Sequence, residues 1–315
     1  MLLPLELLAF LIGLLLGSFL NVCITRLPLH ESIVTPRSHC PRCLQPIRLY
    51  DNIPLLSWIL LRARCRSCRA SIPWRYPLVE LAVALWAVLA VRLYILTAER
   101  GAAFATATIP ATVTTFSIPT LIAIAGVFIL GFLLIGLMVM DWQTHTLPDA
   151  FTLPGIAIGF ALACARAGFL GPHEDEVILN GRDPINAAGS AGHDLGNVVL
   201  TGPEHYILSR LAAILLAFAL IVGLRALYKR IRHQEGLGLG DAKLMAMLAA
   251  FLGFWPAMLA MFLGVLACAV YAASLLANKR ADRHTAVPLG AFLCAGGLFA
   301  AIASAPLLTW YASFF

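Results

Sequence analysis

Gly236-Leu237-Gly238-Leu239-Gly240-Asp241-Ala242-Lys243 stands where a basic segment gives way to an apolar one. An acid at such a junction lies at the mouth of a membrane, because the lysine and arginines before it stay in water while the residues after it prefer lipid. The glycines let backbone or substrate approach closely and adopt torsions that other residues resist. Asp141, 100 residues earlier, ends another long apolar run in a similar way. Two carboxylates from distant sequence are therefore candidates to converge at one membrane face.

Working outward, the 315 residues are 61% hydrophobic and only 12% charged, which excludes an ordinary soluble domain. Apolar runs at about 2–25, 78–97, 120–140, 151–170, 207–228, 257–277 and 288–312 each approach the ~20 residues that cross a bilayer as helix. A shorter run at about 242–255 follows Asp241. The pattern predicts an all-α polytopic membrane protein of about eight transmembrane helices, with a small cytoplasmic zinc-binding domain between the first and second. The parts are a first helix over 1–25, a four-cysteine domain over 26–77, and a bundle over 78–315 with an external loop at 171–206. The first run lacks a basic lead and a small-residue cleavage site, so a retained helix is expected.

Orientation follows from arginine and lysine. Nine arginines lie within 26–77, and Lys229, Arg230, Arg232, Lys279, Arg280 and Arg283 fall on the same side when eight spans alternate. The positive-inside bias puts that side in the cytoplasm and both termini outside. The net charge of +6 is then a topology signal with some attraction to anionic lipid, and gives no argument for nucleic acid.

Cys40-Pro41-Arg42-Cys43 and Cys65-Arg66-Ser67-Cys68 are two C-x-x-C knuckles in one segment, the pattern that presents four thiolates to a tetrahedral metal. Structural zinc is favoured over disulfides, which a reducing cytoplasm disfavours, and over unligated thiols. Cys23, Cys164, Cys268 and Cys294 lie in apolar runs and read as small core residues. Gly13 and Gly17 have the spacing of a helix-packing face, and Asn21 needs a buried partner. Glu80, just inside the second run, is equally a structural or a functional group, with Asn21 or an arginine as candidate partner. Asp149 after Leu147-Pro148 reads as a helix cap, His145 as a solvated residue, and His173, His193 and His205 as an unspecific set in the external loop. Asp141 has no cap to make.

If Asp141 and Asp241 meet, two close carboxylates cannot both ionise cheaply, and the pair holds one proton. The ionised member can take a proton from water as it attacks a peptide carbonyl, while the protonated member hydrogen-bonds the carbonyl oxygen. No serine or cysteine nucleophile with a histidine at convincing spacing competes.

These residues also carry a resemblance. Gly238-Leu239-Gly240-Asp241 resembles the GxGD signature of intramembrane aspartyl proteases, and Asp141 with Leu147-Pro148-Asp149 resembles the other motif of the type IV prepilin peptidase branch. Gly17-Ser18-Phe19-Leu20-Asn21-Val22 with Arg26-Leu27-Pro28, the cysteine pairs, and Arg75-Tyr76-Pro77-Leu78-Val79-Glu80 are similar to the same family's N-terminal part. The resemblance implies a bacterial inner-membrane enzyme, its active site facing the cytoplasm, that removes the leader of type IV prepilins or type II secretion pseudopilins and then methylates the new N-terminus with S-adenosylmethionine. It places the catalytic aspartates at Asp141 and Asp241 and the metal ligands at Cys40, Cys43, Cys65 and Cys68. No glycine-rich turn locates the methyl donor; the cysteine domain and the groove near Glu80 are the expected place. Two features depart from the family's pattern: the long loop 171–206, and Val287-Pro288-Leu289-Gly290-Ala291-Phe292, which matches the usual proline-phenylalanine-glycine-proline only in part. Rival classes are a proton- or cation-coupled transporter, which needs acids near the midplane, and a non-enzymatic zinc scaffold of a secretion system, which does not need Asp241.

Overall fold

Within lipid, a chain must satisfy its own amide groups, and a single apolar segment does so as a helix. The computed structural model describes residues 2–104, 118–169, 203–232, 238–278 and 287–312, and a helix occupies each of the eight predicted runs. These are α1 (Leu2–Arg26), α3 (Arg75–Phe104), α4 (Ile118–Thr144), α5 (Asp149–Ala167), α6 (Pro203–Arg232), α7 (Leu239–Leu252), α8 (Phe254–Ala277) and α9 (Leu289–Ala312), with a short α2 (Leu56–Leu60) between the first two. Among the described residues the only β pairing is two isolated bridges, His39 with Pro46 and Arg64 with Ser71.

Among the described residues six helices are long and apolar enough to cross a membrane, against the eight expected. The apolar part of α9, Leu289–Ser304, is shorter, and α7 has 14 residues. At 1.5 Å per residue α7 reaches about 21 Å, less than the ~30 Å of hydrocarbon. Its surroundings compensate, since Ala242 and Leu244 through Ala250 are all buried against other helices. Two connections are also shorter than expected, because α3 continues to Phe104 and α6 starts at Pro203, which makes His205 helical. Most of 98–119, residues 171–202 with His173 and His193, and Lys279, Arg280 and Arg283 lie outside the described residues.

Neighbouring helices alternate in direction. Glu6 pairs with Arg92 at 2.7 Å near one end of α1 and α3, and Asn21 Nδ2 donates to Tyr76 O at 3.0 Å near the other. Gly13 and Gly17 let these two helices touch: a Cβ at Gly17 would lie 2.7 Å from Glu80 Cα, which supports the packing-face reading. Arg210 early in α6 donates to Phe251 O late in α7, and Gly264 and Gly296 bring α8 and α9 together head to tail. Gly253 joins α7 to α8 at φ +91°, a torsion that disfavours any residue with a Cβ. One end of the bundle thus collects the C-termini of α1, α4, α6 and α8 and the N-termini of α3, α5, α7 and α9. The core beneath that end is built from Leu20, Leu134, Leu137, Met140, Leu244, Met247, Leu248 and Leu293.

Candidate functional site

Asp141 lies in the last turn of α4 and is only 6% exposed. Its Oδ2 accepts the Ala291 N–H at 2.7 Å. Ala291 is in the first turn of α9, where amides have no partner within the helix and carry the positive end of its dipole. The preceding Gly290 is what lets the carboxylate in, because a Cβ there would lie 3.0 Å from Asp141 Cγ and Oδ2. Asp241 is the third residue of α7, and its Oδ2 accepts the Gly238 N–H at 3.3 Å. Both carboxylates therefore meet helix N-termini, which favour negative charge. Leu147 packs against both Gly240 and Gly290, since a Cβ at Gly240 would touch its side chain at 3.1 Å and one at Gly290 at 3.0 Å. Asp141 lies within electrostatic reach of Asp241.

Asp149 occupies the first helical position of α5, after Pro148, and makes no side-chain cap. It instead accepts from Lys243 at 2.6 Å, which ties the start of α5 to the N-terminal part of α7. Trp142, Tyr271 and Phe292 form an aromatic wall beside Asp141, with ring centroids 5.3–6.2 Å apart. The sequence placed Leu147, Gly290 and Ala291 in family-like segments but gave them no role beside the aspartates. Gly290 behind Val287-Pro288-Leu289 carried a signal, as a glycine at the mouth of an apolar helix.

The module between α1 and α3 is built around the cysteines. The Sγ atoms of Cys40, Cys43, Cys65 and Cys68 all lie within 4.8 Å of one another, and those of Cys40 and Cys68 are 3.8 Å apart. A tetrahedron with zinc–sulfur bonds of ~2.3 Å has edges of about 3.8 Å, so the donor set fits the ion. Both knuckles repeat one backbone design: Leu44 N–H returns to Cys40 O and Arg69 N–H to Cys65 O, with Leu44 and Arg69 at φ 57° and 60°. Donated N–H groups of Cys43 and Arg42 pull the Cys40 thiol down to about 6. At Cys43 the Gln45 N–H acts in the same direction, but burial and the three neighbouring sulfurs push the thiol up to about 11. Four sulfurs this close release their protons readily only to a cation.

Glu80 is 8% exposed, yet its partners are neither Asn21 nor an arginine. Its Oε2 accepts the Leu55 N–H at 2.8 Å, and the Ser18 hydroxyl also donates to it. Leu55 stands at φ 58°, ψ −51°, with Leu56 N–H bonded to Pro54 O at 2.6 Å, a tight three-residue turn that strains a non-glycine residue. Asn21 is 3% exposed, and its Oδ1 has no partner among the described residues. Next to Ser18 and Pro54 opens a cleft of about 360 Å³ between α1 and the module, lined also by Phe19, Arg26, Arg37 and Asn52.

The model of the Bacterial Peptidase A24 N-terminal domain matches residues 11–94, and that of the Type IV leader peptidase family matches 187–273. A prepilin leader peptidase/N-methyltransferase of Aeromonas salmonicida is 30% identical over 97% of this chain and 93% of its own length. The chain belongs to this family. The corresponding protein of Myxococcus xanthus is 35% identical over 88% of this chain, which spans 65% of that relative. A type 4 prepilin-like proteins leader peptide-processing enzyme of Escherichia coli is 31% identical over 91% of the chain and 89% of its own length. No solved structure matches. The N-terminal match contains Asn21, the four cysteines and Glu80, the second contains Asp241, and Asp141 lies between the two.

Proposed function

We propose that this protein is a membrane aspartyl endopeptidase that removes the leader of type IV prepilins or type II secretion pseudopilins, and that it methylates the new N-terminus with S-adenosylmethionine. One observation carries the peptidase half: Asp141 and Asp241, 100 residues apart in sequence, come to one end of the bundle, where Gly290 beside Asp141 and Gly240 beside Asp241 both pack on Leu147. The ionised carboxylate removes a proton from water as the oxygen attacks the scissile carbonyl, and the protonated one donates to the carbonyl oxygen. The Ala291 and Gly238 N–H groups hold the two side chains in place through both protonation states. A substrate anchored by its own apolar helix presents its leader junction at the depth where these helices end. That end is the cytoplasmic one, by the arginines of the module and Lys229, Arg230 and Arg232 at the end of α6. The bacterial relatives make the inner membrane the matching location.

The four cysteines hold a structural zinc, which folds 26–77 as a unit distinct from the helices of 1–25 and 78–315. The methyl donor sits in the cleft beside Ser18, with Glu80 behind it, and the cleft's volume falls in the ~300–1,000 Å³ range of small-ligand sites. Both acids lie at one end of the bundle, which suits hydrolysis there and leaves a transporter without a midplane carrier. The test is to incubate the purified enzyme with a synthetic prepilin and S-adenosylmethionine and to weigh the products. Loss of the leader and gain of one methyl group on the new N-terminus is the expected result; an uncut substrate overturns the proposal.

A further inference from the structure

Glu80 is a buried carboxylate that leader cleavage does not use. Its hydrogen-bond partners are the Leu55 N–H and the Ser18 hydroxyl, neither of them a cation. Ionising a buried carboxyl group without a counter-ion is costly, and two hydrogen-bond donors offset that cost only in part. One helical turn along α1 from Ser18, which touches Glu80, stands Asn21, whose Oδ1 is an acceptor shielded from water and left unpaired. Asn21 is held by Tyr76 O, one turn before Glu80 on α3. One unfilled acceptor, Asn21 Oδ1, and one buried carboxyl group without a cationic partner thus lie one helical turn apart along the contact of α1 with α3. The cleft reaches that seam through Ser18 and Pro54, the neighbour of strained Leu55. Native proteins rarely leave such groups unsatisfied without a ligand or a chemical use for them.

We infer that Glu80 and Asn21 Oδ1 form a seat for an organic cation reached from the cleft. The inference rests on the proposed methyl transfer, which brings two cations together: the α-ammonium of the freshly cut chain and the sulfonium of the donor. An ammonium in this seat gives one proton to the Glu80 carboxylate and another hydrogen bond to Asn21 Oδ1. The freed lone pair forms the N–C bond as the donor's C–S bond breaks with its electron pair kept by sulfur. The positive charge lost by sulfur appears on the methylated nitrogen, and the proton on Glu80 returns to solvent. The Leu55 N–H holds the carboxylate at the cleft wall, and the strained turn places that N–H.

The experiment uses the full-length zinc-loaded enzyme and Glu80→Gln, which keeps an acceptor for Leu55 N–H and Ser18, alongside Asn21→Leu. Three readouts are taken: leader cleavage, methylation of a leader-free peptide, and calorimetric binding of S-adenosylmethionine against its neutral thioether product. If the seat takes the sulfonium, Glu80→Gln weakens S-adenosylmethionine at least about tenfold and leaves the thioether's affinity alone, as a lost charge contact predicts. If it takes the ammonium, both donor affinities hold while methylation of the peptide falls about 100-fold or more. In both cases methylation falls much further than cleavage. Equal losses of cleavage and methylation, or no loss of methylation together with unchanged binding of both nucleosides, overturn the inference. An enzyme that never cuts prepilin defeats the peptidase reading instead, and leaves the binding measurement to judge the seat by itself.

Discussion

The aspartate end of the bundle and the four-cysteine module adjoin, but they are held together by different physics. Around Asp141 and Asp241 the side chains are apolar, and the polar contacts come from helix N-termini: Ala291 N–H and Gly238 N–H. In the module few large apolar groups are buried, and Leu44, Ile59, Leu60 and Trp74 are more than 60% exposed. Its order comes from sulfurs, tight turns and backbone hydrogen bonds around a predicted ion. A site of the first kind survives loss of a charge with its fold intact. A site of the second kind depends on its ligand for folding.

The sharpest way to break this contrast is to remove one charge on each side. Asp241→Asn is expected to lower cleavage by ~10²–10⁴-fold, the range of a lost acid–base group, while zinc content and helicity stay at wild-type values. A substantial drop in bound zinc in that variant would mean that the two regions are not separable. Cys65→Ser, or a strong chelator, is expected to do the opposite: released metal and rapid proteolysis within 26–77, with the bundle still folded in detergent. Mass mapping of the fragments checks it, and a module that stays protease-resistant without metal would refute the structural role of zinc.

A smaller effect tests the helix-terminus contacts. Ala291→Pro removes the N–H that Asp141 accepts, at a first-turn position where proline is tolerated. Loss of one hydrogen bond to a charged group, about 1.5–3 kcal/mol, predicts a 10–100-fold fall in cleavage with unchanged zinc. Gly17→Ala should cost about 1–3 kcal/mol of stability, because its Cβ would meet the Glu80 backbone at 2.7 Å. The melting temperature reports it. The smallest effect belongs to Asp51, held below the usual carboxylate range by hydrogen bonding to Arg66. A depressed pKa stabilises above the unfolded value and is lost as pH falls through the folded one. The slight stability margin of wild type over Asp51→Asn should therefore be present at neutral pH and vanish in acid below the ordinary carboxylate range.

What was legible in the sequence follows the same division. Hydropathy located the helices because lipid leaves one backbone solution, and C-x-x-C spacing located the sulfurs because the knuckle is local. The sequence showed the run of α7 to be short, but not that Ala242 and Leu244 through Ala250 are buried by other helices instead of lipid. Asp149 read as a cap because Leu-Pro-Asp commonly precedes a helix, but its partner Lys243 is 94 residues away in sequence. The same holds for Ala291 and Asp141, 150 residues apart, and for Leu55 and Glu80. A backbone N–H carries no residue signature, so donors of this kind stay hidden until the fold brings them in.

The most direct measurement is a double-mutant cycle on cleavage with Asp141→Asn, Asp241→Asn and both together, at equal zinc content. Two carboxylates that share one proton act as a unit, so the double variant should be no slower than the slower single. Losses that multiply, or a single variant that still cuts at the wild-type rate, would contradict a shared site.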